Sequence, residues 1–224
     1  MNRSRQTSLF PIASLDQAIP TAPRAKGRSK AAASSASVFL SRRTSKAYPI
    51  RLDQIPVTGR PGRLSLTILP GKKDITWDRD LATDVAAFKT AGVNRVFCLV
   101  PQFELDHLGV GNYLEVLRRV GIAARHLPII DRSTLHEGGF GAMLDAVDEI
   151  RLALSVGEHV AVHCRGGLGR AGTVAACVLV ADGMKANEAA LLVRKHRPGA
   201  IETKGQLAFV FGFAGWLEKM NLRG

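Results

Sequence analysis

A strand, a glycine-rich turn and a helix follow one another between residues 158 and 180, and this succession constrains the fold more than any other part of the chain. Residues 158–162 read Glu-His-Val-Ala-Val and predict a short buried strand, and residues 171–180 are small and aliphatic, which predicts a buried helix. The turn between them begins with Cys164 and ends with Arg170. It holds three glycines, Gly166, Gly167 and Gly169. A strand that leads into a helix in this way indicates an α/β fold, in which ligands bind at the carboxyl ends of parallel strands.

The same turn is suited to bind a phosphate group. Free backbone N–H groups and the positive end of the helix dipole attract an anion at a helix N-terminus, and they favour the thiolate form of Cys164. Glycines allow successive N–H groups to point inward, and the guanidinium of Arg170 presents donors to two phosphate oxygens at once. We therefore predict that Cys164 is a nucleophile and that Arg170 clamps the phosphate. The predicted substrate-binding residues are the five between them, Arg165, Gly166, Gly167, Leu168 and Gly169. The alternative is an ordinary glycine-rich turn around a buried cysteine.

Residues 163–170 read His-Cys-Arg-Gly-Gly-Leu-Gly-Arg and contain the Cys-x5-Arg signature of protein tyrosine and dual-specificity phosphatases. Their sequence is similar to that of the cyclin-dependent kinase-associated phosphatases and their bacterial relatives. Four other segments resemble the same family: 66–71, 88–98, 126–131 and 199–206. The resemblance runs from near Arg60 to the C-terminus. It implies an α/β fold of the dual-specificity type, with a central, largely parallel sheet flanked by helices. It also implies hydrolysis of phosphoserine, phosphothreonine and phosphotyrosine through a phosphocysteine intermediate, without a metal or other cofactor.

A general acid is expected at Asp131. Cleavage of a phosphoester requires a proton for the departing oxygen, so a carboxylic acid must face the pocket opposite Cys164. Asp131 follows the apolar residues 126–130, precedes a polar loop, and resembles the general-acid position of the family. The same carboxyl group would then act as the base for the water that frees Cys164 from its phosphate. The alternatives are that Asp131 caps a turn with Ser133, or that Glu137 is the acid.

Further candidate roles are implied by the resemblance. Gln206 resembles the glutamine that positions water in several tyrosine phosphatases, although an exposed helical glutamine would look the same. His163 is expected to support the loop through hydrogen bonds and not to act as a base. Cys98 resembles a cysteine that pairs with the nucleophile on oxidation in a tumour-suppressor lipid phosphatase, so it is a candidate redox partner of Cys164. A buried core cysteine is the alternative for Cys98, and Cys177 is expected to be one.

Ala171 departs from the family pattern. Most relatives have serine or threonine directly after the arginine, where the hydroxyl stabilises the thiolate that leaves the phosphocysteine. Thr173 lies two residues further on and is not expected to substitute. We therefore predict slow turnover with accumulation of the phosphoenzyme.

The substrate is less constrained than the chemistry. No Lys-Asn-Arg-Tyr recognition loop precedes Leu64, so a shallow pocket open to phosphoserine and phosphothreonine is expected, and the resemblance implies a protein kinase as the phosphoprotein substrate. Positive charge from Arg165, Lys72 and Lys73 leaves a phosphoinositide phosphatase open. A phosphopeptide-binding pseudophosphatase is a second alternative, although the set of cysteine, arginine and aspartate is complete. A nucleic-acid-associated enzyme is a third, although the predicted folded part lacks interleaved basic and aromatic residues.

The positive charge of the chain is concentrated near its N-terminus. The 224 residues carry a formal net charge of +12, of which residues 1–51 contribute +9 through ten basic residues and one acid. We predict a basic, Ser/Ala/Pro-rich and disordered segment over 1–55, followed by a catalytic domain over 56–224. The basic segment is a solvated tail, a contact for nucleic acid, anionic membrane or an acidic partner, or a transit peptide. No apolar run is long enough to predict a transmembrane segment, and three cysteines without zinc-ligand spacing favour a cytoplasmic location.

Strands and helices are predicted to alternate along the rest of the chain. The strands are expected at 64–69, 95–100, 123–130 and 158–162. The helices are expected at 80–91, 112–120, 141–155, 171–182, 186–196 and 203–218. This alternation favours the parallel sheet that the Cys164 turn already indicates.

Overall fold

A computed structural model describes residues 42–130 and 139–221. Its strands are β1 (Arg43–Thr44), β2 (Asp53–Ile55), β3 (Arg63–Thr67), β4 (Trp77–Asp78), β5 (Arg95–Cys98), β6 (Ala123–His126) and β7 (His159–His163). Its helices are α1 (Leu81–Thr90), α2 (Gln102–His107), α3 (Tyr113–Arg119), α4 (Phe140–Ser155), α5 (Gly169–Ala181), α6 (Ala186–His196) and α7 (Lys204–Asn221). The elements form an α/β fold, as the alternation predicts.

Five strands form the central sheet, in the order β2-β3-β7-β5-β6. β3, β7, β5 and β6 are mutually parallel, and β2 pairs with β3 in the antiparallel direction at one edge. β1 and β4 form a separate parallel pair. β7 occupies the middle of the sheet and is buried along its whole length. The predicted central, largely parallel sheet is therefore confirmed.

Helices cover both faces of the sheet. Side chains alternate along β7, so that Val160 and Val162 face one side and Ala161 faces the other. Helices α4 to α7 pack on the first side, and α1 to α3 pack on the second. Every residue of α5 from Gly169 to Val180 is buried, which explains its small and aliphatic sequence, because a helix surrounded by protein has no polar face. Among the described helices, none is long and apolar enough to cross a lipid bilayer.

A buried ion pair fixes the segment between β3 and α1. The guanidinium of Arg79 donates two hydrogen bonds of 2.7 Å to the carboxylate of Asp84, and both side chains are almost fully buried. Asp84 also accepts from the backbone N–H of Gly71 at 2.9 Å, and Arg79 donates to the carbonyl oxygen of Tyr48 at 2.9 Å. Loss of either partner would leave an uncompensated buried charge, so this segment, which carries residues 72–77, is held firmly.

The structure differs from the predictions at several short elements. α2, β1, β2 and β4 are not predicted, since six residues or fewer give too few positions to show a hydrophobic period. The predicted strand at 95–100 ends at Cys98, because Pro101 follows and leads into α2. β2 lies within the segment predicted to be disordered over 1–55, so the folded part begins before residue 56. Residues 1–41 of that segment lie outside the described residues.

Candidate active site

The turn that begins at Cys164 lies between the ends of the two strands that flank β7. The backbone N–H of Leu99 donates to the carbonyl oxygen of His163 at 3.0 Å, and the backbone N–H of Leu69 donates to the carbonyl oxygen of Arg165 at 3.4 Å. The segments that follow β3 and β5 thus hold the turn from both sides, at the carboxyl ends of the parallel strands. Cys164 is only 3% exposed and lines a pocket of about 270 Å³.

Residues 164–170, which we call the Cys–Arg loop, require glycine at position 167 because of a close contact with backbone. Gly167 has φ of +66°, and a β-carbon added to it would lie 2.0 Å from the carbonyl oxygen of Thr67 in β3. A β-carbon at Gly169 would lie 2.6 Å from two polar side chains near the start of α7. At Gly166, by contrast, an added β-carbon would have no such neighbour within 4 Å. The loop therefore runs directly against β3, and only the backbone of glycine fits at position 167 without displacement.

Arg170 is oriented by a carboxylate on α2. Its Nη1 and Nη2 donate to the two carboxylate oxygens of Glu104, each at 3.1 Å, and Nη1 also donates to the carbonyl oxygen of Ile129 at 2.8 Å. The side chain of Arg170 is 1% exposed. Paired bonds to a carboxylate fix the plane of a guanidinium. No sequence signal points to Glu104, because α2 itself is too short to be predicted.

A second carboxylate lies at the N-terminus of α5. The backbone N–H of Gly169, the first residue of that helix, donates to Oε2 of Glu202 at 2.8 Å. This end of a helix attracts anions, and here the chain supplies one itself. Glu202 lines the same pocket as Cys164. Its position in the irregular segment before α7 carries no motif, so it is not among the predicted site residues.

Two cations of the pocket share one carboxylate. Nη2 of Arg165 lies 3.6 Å from Oδ2 of Asp74, and Nζ of Lys72 lies 3.4 Å from the same oxygen. Burial lowers the pKa of Lys72, although Asp74 opposes the shift. Burial also acts to raise the pKa of Asp74, but two backbone N–H groups and Lys72 hold it below its ordinary value. The extra positive charge that a polyphosphorylated ligand requires is therefore partly neutralised.

His163 is fully buried next to Cys164. Its Nδ1 lies 3.4 Å from the carbonyl oxygen of Cys164, and its ring packs edge-on against that of Tyr113, with centroids 5.2 Å apart. Burial lowers the pKa of His163 to about 3, so the ring does not titrate near neutral pH. These contacts fit the predicted supporting role better than that of a base.

Gln206 is buried and caps α7. Its Oε1 accepts from the N–H of Thr203 at 3.2 Å, and the hydroxyl of Thr203 accepts from the N–H of Gln206 at 3.1 Å. This reciprocal pair is a capping box. Gln206 is 2% exposed and packs against Gly169, so it is not the exposed helical glutamine of the alternative interpretation. Its role in positioning water stays a prediction.

Comparison with known proteins places these features in a family. A family model described as cyclin-dependent kinase inhibitor 3 (CDKN3) matches residues 45–190. The chain belongs to this family. Cyclin-dependent kinase inhibitor 3 of Rattus norvegicus is 31% identical over 170 residues, which cover 74% of the chain and 79% of that relative. Protein tyrosine phosphatase domain-containing protein 1 of Mus musculus is 48% identical over 81 residues, which cover 36% of the chain and 11% of that protein.

A solved structure is similar to this CDKN3 family member in both fold and sequence. A crystal structure of kinase associated phosphatase, in which the catalytic-site cysteine is replaced by serine, aligns with a TM-score of 0.71 and 28% identity, over 76% of the chain and 97% of that structure. The resemblance to protein tyrosine and dual-specificity phosphatases is thereby confirmed. Family and fold together support a phosphatase function. The CDKN3 match begins at residue 45, which agrees with the inclusion of β2 in the fold.

Both predicted acids of this CDKN3 family member lie outside the described residues. Asp131 and Glu137 fall in the range 131–138. Ile129, two residues before Asp131, contacts the site through its carbonyl oxygen, which accepts from Arg170. The general-acid role of Asp131 stays a prediction.

The position after Arg170 has no hydroxyl in this CDKN3 family member. Ala171 is fully buried in the first turn of α5. The hydroxyl of Thr173 donates to the carbonyl oxygen of Gly169 at 2.9 Å, so it bonds the helix backbone. This bond does not favour a role for Thr173 in place of the missing group, and the slow release of phosphate stays a prediction.

Cys98 and Cys164 pack in different cores. Cys98 pairs with His163 in the register between β5 and β7 and lies in the core of α1 to α3, whereas Cys164 lies in the core of α4 to α7. Burial raises the pKa of Cys98 to about 12. Cys98, Cys164 and Cys177 are all free, and Cys177 is fully buried in α5. Burial favours a core role for Cys98, and its redox partnership with Cys164 stays a prediction.

Proposed function

We propose that this chain is a cysteine-dependent protein phosphatase of the dual-specificity type. The observation that supports this most is the placement of Cys164 and Arg170 at the two ends of one loop, at the N-terminus of α5. Arg170 is nearly fully buried and fixed by Glu104, so its guanidinium is oriented before any substrate binds. Preorganised donors of this kind stabilise the charge that develops on a transferring phosphoryl group.

The first step would transfer the phosphoryl group to Cys164. The thiolate sulfur attacks phosphorus, the S–P bond forms and the P–O bond to the leaving group breaks. Asp131 gives its proton to the departing oxygen. Arg170 and the N–H groups of the Cys–Arg loop stabilise the negative charge on the other phosphoryl oxygens.

The second step would release inorganic phosphate. Asp131, now a carboxylate, takes a proton from water, the water oxygen bonds to phosphorus, and the S–P bond breaks with its electron pair returning to Cys164. Gln206 is the proposed residue that positions this water. Ala171 offers no hydroxyl to the departing thiolate, so this step would be slow and the phosphocysteine would accumulate.

The proposed substrate is a phosphoprotein, and we favour a protein kinase because a similar structure is that of a kinase associated phosphatase. The three free cysteines fit a reducing compartment such as the cytoplasm. A phosphoinositide is the second candidate, since Arg165 and Lys72 line the pocket with Cys164. Their shared partner Asp74 favours a substrate with a single phosphate over a polyphosphorylated one.

Phosphate release from a panel of phosphopeptides and phosphoinositides tests these assignments. We expect the full chain to hydrolyse phosphopeptides, Cys164→Ser to bind them without hydrolysis, and Asp131→Ala to lose activity while it retains binding. Activity in Cys164→Ser would refute the mechanism. Preferred hydrolysis of phosphoinositides would establish the second candidate, and binding by the wild type without hydrolysis would indicate a phosphopeptide-binding pseudophosphatase.

A further inference from the structure

Arg197 bridges the Cys–Arg loop and the edge strand β2. Its Nε donates to the carbonyl oxygen of Gly167 at 3.1 Å, and its Nη2 donates to that of Gly166 at 3.0 Å. Its Nη1 forms an ion pair with the carboxylate of Asp53 in β2. The two charged side chains are 14% and 11% exposed. One guanidinium thus contacts two successive carbonyls of the loop and is itself fixed by a carboxylate.

These contacts determine where two N–H groups of the loop point. A peptide unit is planar and trans, so its carbonyl and its N–H point in opposite directions. When Arg197 holds the carbonyl of Gly166, it also orients the N–H of Gly167, and when it holds the carbonyl of Gly167, it orients the N–H of Leu168. Glycine restricts the orientation of a peptide unit less than any other residue. Arg197 therefore acts where the Cys–Arg loop is least constrained by its own sequence.

We propose that Arg197 is a positioning residue for phosphate. Arg197 holds the N–H groups of Gly167 and Leu168 towards the bound anion, and Asp53 anchors Arg197. The proposal rests on the proposed function, because phosphate is the ligand of that function. Arg197 follows α6 and lies beyond the region that the CDKN3 family model matches. Asp53 is fixed by the pairing of β2 with β3, in which it lies opposite Leu66.

Orientation and simple charge attraction predict different results for two substitutions. Arg197→Lys keeps the positive charge, but a single ammonium group cannot reproduce the planar fork that contacts two carbonyls and a carboxylate. Asp53→Asn removes a negative charge, which by charge alone would strengthen the binding of an anion. If orientation dominates, Asp53→Asn weakens anion binding instead, because Arg197 loses its anchor.

Arg60 offers a matched control elsewhere in the fold. Its Nε donates to the carboxylate of Asp182 at 3.0 Å, and its Nη1 donates to the carbonyl oxygen of Arg151 at 3.0 Å. It thus combines an ion pair with a bond to a backbone carbonyl, as Arg197 does, but its partners lie on α4 and directly after α5. Arg60→Lys should destabilise the fold to a similar degree without a change in the Cys–Arg loop.

Calorimetric titration of the full chain with tungstate, a dianion of the shape of phosphate, measures the effect, and thermal unfolding of each variant reports its stability. We expect Arg197→Lys to weaken tungstate binding about tenfold and Asp53→Asn about threefold, as loss of about one positioned hydrogen bond implies. Arg60→Lys should bind as the wild type does.

Several outcomes would overturn the proposal. These are unchanged affinity in Arg197→Lys, higher affinity in Asp53→Asn, and an equal loss in Arg60→Lys, which would make the effect a general one. If Arg197→Lys does not fold, Asp53→Asn decides, because it leaves Arg197 itself in place. Failure of the wild type to bind tungstate would remove the proposed function and the role of Arg197 together, whereas binding by the wild type with unchanged variants removes the role alone.

Discussion

Substitution of Gly167 by alanine would place a methyl group against the backbone of β3. The added β-carbon would lie 2.0 Å from the carbonyl oxygen of Thr67, and the residue has φ of +66°. The left-handed conformation costs alanine about 1–2 kcal/mol, and overpacking costs about 1–3 kcal/mol more. We therefore expect the free energy of unfolding to fall by about 3 kcal/mol, which corresponds to a decrease of about 6–12 °C in the unfolding midpoint for a folded part of this size.

The same substitution should also lower the phosphatase activity. The contact can be relieved only if the Cys–Arg loop or β3 moves, and movement of the loop displaces its N–H groups relative to the sulfur of Cys164. A misplacement of about 1 Å lowers a rate about 100-fold. We expect a loss of this size in kcat/KM for p-nitrophenyl phosphate, measured beside thermal unfolding on the same preparation.

Gly166→Ala is the matched control. A β-carbon at Gly166 would have no neighbour within 4 Å, and its φ is not positive. We expect this variant to unfold within about 2 °C of the wild type and to keep its activity within about twofold, because an alanine in an open and allowed conformation is tolerated. If Gly167→Ala behaved like Gly166→Ala in both measurements, the close approach of the loop to β3 would be refuted.

Three further perturbations address the chemistry. Ala171→Ser should return a hydroxyl to the departing thiolate and raise kcat about fivefold, the equivalent of one hydrogen bond. The pre-steady-state burst of p-nitrophenol should then be smaller than in the wild type. A wild type without a burst and with rapid turnover would contradict the predicted accumulation of phosphoenzyme. Glu104→Gln should raise KM for p-nitrophenyl phosphate about tenfold through loss of one charge-assisted bond to Arg170, whereas a lower KM would show that Glu104 competes with phosphate. His163 has a pKa of about 3 in the fold and near 6.5 when unfolded, so below about pH 6.5 the unfolded chain binds a proton that the fold does not. The free energy of unfolding should therefore fall by up to about 1.4 kcal/mol per pH unit as the pH drops from about 6.5 towards 3, and His163→Asn should flatten this slope in urea unfolding between pH 7 and 5; an unchanged slope would refute the assignment to His163.

The long elements and the Cys–Arg loop could be predicted from the sequence because their signals are local. The burial of β7 and α5 is visible in continuous apolar runs, and Cys164 and Arg170 share one short turn. The fold class follows from the same runs, since a strand that leads through a tight turn into a buried helix has few other architectures available.

The residues that complete the candidate site could not be predicted from the sequence, because they come from distant parts of the chain. Glu104 reaches Arg170 across 66 positions, and Asp53 reaches Arg197 across 144. Neither carboxylate lies in a motif, and both lie on elements of six residues or fewer. For Gln206 the sequence pattern is ambiguous, because the spacing of Thr203 and Gln206 is also that of a helix cap. The hydrogen bonds of Gln206 are those of a cap.

The antiparallel pairing of β2 has a consequence for the solubility of the folded part. Without β2, strand β3 would be the edge of the sheet and would present a row of unpaired N–H and C=O groups, a template on which other chains assemble. β3 has an exposed charge only at its first residue, Arg63, whereas its other four residues are uncharged and buried. At the opposite edge, β6 carries the exposed side chain of Arg125, which forms an ion pair with Glu149. An exposed charge on an edge strand opposes the addition of another strand. A shortened form that begins at residue 56 would therefore aggregate through β3, while the edge at β6 would remain protected.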